Sequence, residues 1–248
     1  NEFRKKLTSL VFPIAFQYFM MSLVSASDAL MLGFLEQDAM SAVSLAGQIF
    51  FIEHMVIAAM ITGFSIFGAQ YWGKKDITSF EKVFAYVMKV TAIASLVFFV
   101  ATLLIPQYLM RIYTSDAKLI ENGTIYLRYA SAAFLLTGVS QVLLCALKNS
   151  EKALKSSLIG SVSMFLNIIL NALLIFGLFG LPKMGIAGAA IATVISRIFE
   201  VVWCALELTK KDSVKLRIAY LLKTEKAFLR EFWKYTAPSF GNQLTWGI

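Results

Sequence analysis

What this chain has least of is charge. Asp, Glu, Lys and Arg make up 15% of its 248 residues and hydrophobic residues 58%, against about 25% charged residues in soluble domains, which excludes a water-soluble globule. Histidine occurs once, as His54, and cysteine twice, as Cys145 and Cys204. No metalloenzyme spacing, phosphate-cradling glycine loop or nucleophile elbow is present, so neither an enzyme nor a bound cofactor is expected. Both cysteines fall near the ends of apolar runs and read as packed, reduced thiols.

What is abundant is apolar sequence in long runs. Leu7 to Leu32, Val43 to Gly68, Val83 to Ile105, Ile125 to Leu147, Ser156 to Phe179 and Gly185 to Leu208 each approach the roughly 20 residues of one helical span. A seventh run begins near Trp233. The intervening lysines and arginines fall in alternate gaps: 17 of 23 lie in the leader and in the second, fourth and sixth gaps. The opposite side has only Arg111, Lys118, Arg128 and Lys183, with Lys89 and Arg197 inside runs. The positive-inside rule then predicts a multi-pass protein of the inner or plasma membrane with a cytoplasmic amino end. Cytoplasmic loops facing an anionic leaflet account for the net charge of +8, without a nucleic-acid partner.

Arg4, Lys5 and Lys6 before an apolar stretch and Val24-Ser25-Ala26 also spell a secretory leader, but the run carries Pro13 and Gln17 and continues past that site. Asn122-Gly123-Thr124 spells a glycosylation sequon in an outside loop. The sixth gap, with Leu216, Ile218, Leu221 and Leu222 among basic residues, predicts an amphipathic surface helix and a linker. After it, Phe228 to Gly247 echoes the opening of the chain, with Pro238 and Gln243 standing where Pro13 and Gln17 stood. The expected organisation is a six-helix lobe over 1–208, a cytoplasmic linker over 209–232 and the start of a second lobe over 233–248, an all-α membrane protein whose natural form continues for about five more spans.

Polar residues inside these runs are the candidate site. A carboxylate such as Asp28 costs about 2.5 to 3.5 kcal/mol within a bilayer, so it needs a partner or a function. Asn167 and Asn171 share a helix face at i,i+4, and Thr193 lies at similar depth, about 12 Å from the outer ends, with Asp28 at about 6 Å. These oxygen-bearing side chains suit a hard cation such as Na+, or the asparagines simply knit helices together. The small-residue stretch Gly185 to Thr193 permits close helix contact and makes the Ala189 carbonyl reachable. Pro13 predicts a kink in the first helix. Glu53 and His54 are candidates for a proton relay or a cleft that attracts cations. Arg197 and Glu200, at i,i+3, are expected to neutralise each other.

Together Pro13, Ser27-Asp28 through Gly33, Gly68 through Asp76, Asn167-Ile-Ile-Leu-Asn171 through Gly177, and Gly185 through Thr193 resemble the multidrug and toxic compound extrusion (MATE) transporters, antiporters of two six-helix lobes. The resemblance implies a first-lobe cation site at Asp28, Asn167, Asn171 and Thr193 with the Ala189 carbonyl, bending of the first helix at Pro13, and further carboxylates in a second lobe. Asn171 stands where some members have aspartate, and Lys148 replaces a common arginine. The expected function is export of cationic or amphiphilic small molecules in exchange for Na+ or H+ by a monomer. The alternatives are a flippase for lipid-linked oligosaccharides or a seven-helix receptor-type protein, for which no lysine after Lys234 offers a retinal anchor.

Overall fold

From Val43 onward the apolar runs are helices, and most begin upstream of their hydrophobic stretch. The computed structural model describes residues 30–34, 36–210, 213–222 and 226–246, together with positions 15, 19, 23 and 27. The helices are α1 (Gln37–Gly73), α2 (Ile77–Leu104), the short α3 (Pro106–Arg111), α4 (Ala117–Asn149), α5 (Ala153–Phe176), α6 (Ile186–Leu208), the short α7 (Ile218–Leu222) and α8 (Lys226–Trp246). Among the described residues, five of these, α1, α2, α4, α5 and α6, are long and apolar enough to cross a membrane. The protein is an all-α, multi-pass membrane protein.

Capping chemistry rather than hydropathy sets the ends. At 37 residues α1 is about 55 Å long and projects beyond a hydrocarbon layer of about 30 Å. Asp76 caps α2 by accepting the Ser79 N–H at 3.0 Å; the Ser79 hydroxyl and then its amide hold that carboxyl below the usual aspartate range. Asp116 caps α4 through the amides of Lys118 and Leu119, so α4 starts upstream of Ile125 and includes the sequon. Asn122 therefore lies in a helix rather than a loop, and Thr124 is buried, which is incompatible with glycosylation of an accessible loop. Gly177, in the left-handed conformation at φ 70°, ends α5, where a side chain would carry a steric penalty.

The central helix is α4, which packs against α1, α2 and α6 and is the most covered by protein of the five long helices. One apolar cluster joins Phe64, Phe84, Leu144 and Ile159 toward the lysine-rich end of the bundle, and another joins Ile49, Met110, Leu127 and Phe134 toward the other. A third ties Leu32, at the end of the first run, to Ile175 of α5 and Ala189 of α6.

Among the described residues the sixth gap holds one short helix, α7, which lies against the bundle. The Glu81 carboxylate accepts the Lys215 N–H at 3.1 Å and pairs with Arg217 at 2.7 Å, which seats α7 against α2. The next helix is already formed at Lys226, upstream of Trp233. It lies on α1 where Gly63 leaves room: a Cβ there would stand 2.2 Å from Thr236 Oγ1 and 2.9 Å from the Phe232 ring.

α5 and α6 meet against backbone rather than side chain, because a Cβ on Gly188 would stand 2.7 Å from the Leu174 carbonyl oxygen. Neither backbone can yield cheaply, so Gly188→Val is expected to destabilise the protein by about 1 to 3 kcal/mol. A thermal unfolding midpoint in detergent equal to wild type would refute this contact.

Candidate functional site

Four-residue spacing gives α5 one polar face, Ser163, Asn167 and Asn171, and α6 turns Thr193, Ser196, Arg197 and Glu200 toward it. The Asn171 amide donates to Asn167 Oδ1 at 3.3 Å, and the Asn167 amide donates to Ser196 Oγ at 3.2 Å and to Thr193 Oγ1 at 3.4 Å. Ser163 donates to the Ser196 carbonyl at 2.6 Å. On α6 the Thr193 hydroxyl donates to the Ala189 carbonyl at 3.0 Å, and Ser196 to those of Ala192 and Thr193. Both asparagines are buried, so the ladder links the two helices within the protein interior.

Beside the ladder is a cavity of about 250 Å³, lined in part by His54, Tyr126, Thr137, Asn167, Thr193 and Arg197. At about 30 Å³ per water it has room for an ion and several waters, and it falls below the roughly 300 to 1,000 Å³ of sites for drug-sized ligands. Arg197 pairs with Glu200 at 2.8 Å, as the i,i+3 spacing predicts.

The structure thus brings Asn167 and Thr193 to one cavity and links Asn171 to it through Asn167. Ala189 stands behind Thr193, its carbonyl engaged by that hydroxyl. Asp28 and Pro13 lie outside the described residues. The Glu53–His54 dipeptide divides: His54 lines the cavity, whereas Glu53 faces Ser95 of α2, because successive helical residues point about 100° apart. Ser163 and Ser196 were missed from the sequence; their spacings, i−4 from Asn167 and i+3 from Thr193, are the signals that would have found them.

Within this site the Arg197–Glu200 pair carries buried charge: Glu200 is 1% exposed. Removing one member leaves the other unmatched, so Glu200→Gln is expected to cost about 3 to 5 kcal/mol, and the joint change to Arg197→Met with Glu200→Leu much less. Equal unfolding midpoints for the single and double variants would contradict this coupling.

Comparison with known proteins follows the same lines. The MatE family model matches residues 13–173. The chain is 27% identical to the uncharacterized transporter YisQ of Bacillus subtilis over 98% of this chain and 53% of that protein. It is 26% identical to the probable multidrug resistance protein NorM of Thermotoga maritima, over 87% and 47% respectively. Its fold matches the outward-facing structure of a multidrug resistance MATE family transporter of the MOP superfamily, with a TM-score of 0.83, 21% identity and coverage of 95% of this chain and 51% of that one. The chain spans about half the length of the curated relatives it matches.

Proposed function

From the premise that this chain belongs to the MatE family, we propose that it forms the first lobe of a secondary antiporter that exports organic cations or drugs in exchange for Na+ or H+. Residues 1–208 make the lobe, 209–232 the cytoplasmic linker, and 233–248 open the second lobe of a twelve-helix, monomeric transporter. The lysine and arginine distribution supports a plasma-membrane protein with its amino end in the cytoplasm.

The observation that carries this reading is the buried Asn171–Asn167–Thr193/Ser196 ladder beside a cavity sized for an ion rather than a drug. As the ladder stands, the Asn167 carboxamide is engaged through both its nitrogen and its oxygen. Turning the Asn167 carboxamide over would present its oxygen, with Thr193 Oγ1, to a cation, while Asp28 supplies the negative charge. Such a change replaces the hydrogen bonds that hold α5 to α6, so occupancy biases how these helices pack and which side of the membrane a cleft between lobes faces. One charge descending 100 mV supplies about 2.3 kcal/mol, enough for roughly a 50-fold gradient of a neutral solute. Larger substrates then bind between lobes, where aromatic and methionine side chains suit flat cations.

In vesicles containing the full-length protein, Asp28→Asn and Asn167→Ala are each expected to lower gradient-driven efflux of a cationic dye at least 10-fold at equal expression. Undiminished, gradient-dependent export by both would reject the assignment. Substrate-induced movement of radioactive sodium, compared with that of protons, identifies the coupling ion.

A further inference from the structure

We propose that Glu53, Thr91 and Ser95 form a second, separate binding site for a sodium-sized monovalent cation, between α1, α2 and α4. This inference does not depend on the role given to the asparagine ladder.

Glu53 lies near the middle of α1 and is 1% exposed; Thr91 and Ser95, one turn apart on α2, are fully buried. The carboxyl faces the Ser95 hydroxyl, yet among the described residues neither Glu53 oxygen, nor Thr91 Oγ1, nor Ser95 Oγ closes a regular hydrogen bond. The Thr124, Ser161 and Thr236 hydroxyls share this state, but other helical hydroxyls do not. Thr62, Thr102, Ser131, Ser140, Thr193 and Ser196 all donate to a carbonyl three or four residues back in their own helix, the ordinary solution for a buried helical hydroxyl. Thr91 and Ser95 leave their oxygens available to something else.

A buried carboxylate without a partner is too costly to persist and must be neutralised. The nearest cation facing it, Arg197, is already bound to Glu200 at 2.8 Å. The two carboxylate oxygens, the Ser95 hydroxyl beside them and the Thr91 hydroxyl one turn away are the hard oxygen ligands that suit an alkali ion. The fourth wall is the α4 backbone itself: a Cβ on Gly138 would stand 2.1 Å from Ser95 Oγ and 3.4 Å from Thr91 Cγ2. Only the absence of a side chain there lets the α4 backbone come up to the Ser95 hydroxyl and the Thr91 methyl.

The site is distinct from the cavity beside the ladder, although the two share walls. On α1, His54 faces the cavity and Glu53 faces Ser95; on α4, Thr137 lines the cavity and Gly138 abuts Ser95.

The test uses full-length protein carrying Asp28→Asn, Asn167→Ala, Asn171→Ala and Thr193→Val, which removes the side-chain ligands assigned to the ladder site. The unfolding midpoint is followed as Na+ replaces choline at constant ionic strength and pH. A saturable rise with Na+ is expected to survive in this background and to vanish on adding Glu53→Gln. The milder Ser95→Ala and Thr91→Val are expected to raise half-saturating Na+ at least 10-fold. A background with no response to Na+, a response unchanged by Glu53→Gln, or a midpoint that follows pH but not Na+, as for a carboxyl that binds only a proton, would overturn the proposal.

Discussion

A polar side chain inside a bilayer must find its partner within the protein, and the ladder from Asn171 through Asn167 to Thr193 and Ser196 is where this requirement shapes the lobe. Lipid supplies neither donors nor acceptors, so the polar faces of α5 and α6 must be satisfied within the protein, and here they meet each other. Their approach is close because Gly188 sits on the Leu174 carbonyl. Polar bonding and small-residue packing therefore reinforce one another: the glycine sets the distance at which the amide reaches the two hydroxyls. Leu32, packed with Ile175 and Ala189, brings the end of the first run to the same junction.

The second constraint is the central position of α4. A helix touched on most sides cannot bear large side chains everywhere, and it alternates Phe134, Thr137, Gly138 and Ser140 where its neighbours come near. Because adjacent residues diverge by about 100°, one turn of α4 presents a hydroxyl to one chamber and bare backbone to another. α1 does the same with Glu53 and His54. The interior thus holds two polar clusters, one around the cavity and one at Glu53 and Ser95, that share α1 and α4.

Much of this was legible in the sequence, for a physical reason. Hydrophobic length and the alternation of lysine-rich gaps report directly on a bilayer, so the spans and the i,i+4 pairing of Asn167 with Asn171 could be read without coordinates. Helix ends were less legible: Asp76 and Asp116 cap by local hydrogen bonds that hydropathy does not register, and Gly177 stops α5 through its backbone. Least legible were contacts set by rotation about a helix axis. Glu53 and His54 look like one unit in the sequence and belong to opposite faces. Thr91 and Ser95 carry no signal until Gly138 is seen to face them.

The lysine-rich end follows the same logic in a wetter setting. Glu81 and Glu207 are buried, at 3% and 4% exposure, in a region otherwise dominated by positive charge. Glu207 receives Lys155 and Lys210, and Glu81 receives Arg217 and a backbone amide. Charge-assisted bonds of this kind are stronger and more directional than neutral ones, and they bind the connector after α6 to the body of the bundle at two points. A connector fixed in this way cannot swing freely, so the helix that follows starts where Gly63 can receive Phe232 and where Trp233 donates to the Tyr86 hydroxyl at 2.8 Å. Two residues of this lysine- and arginine-rich stretch, Lys210 and Arg217, thus also tie its described parts to α6 and α2.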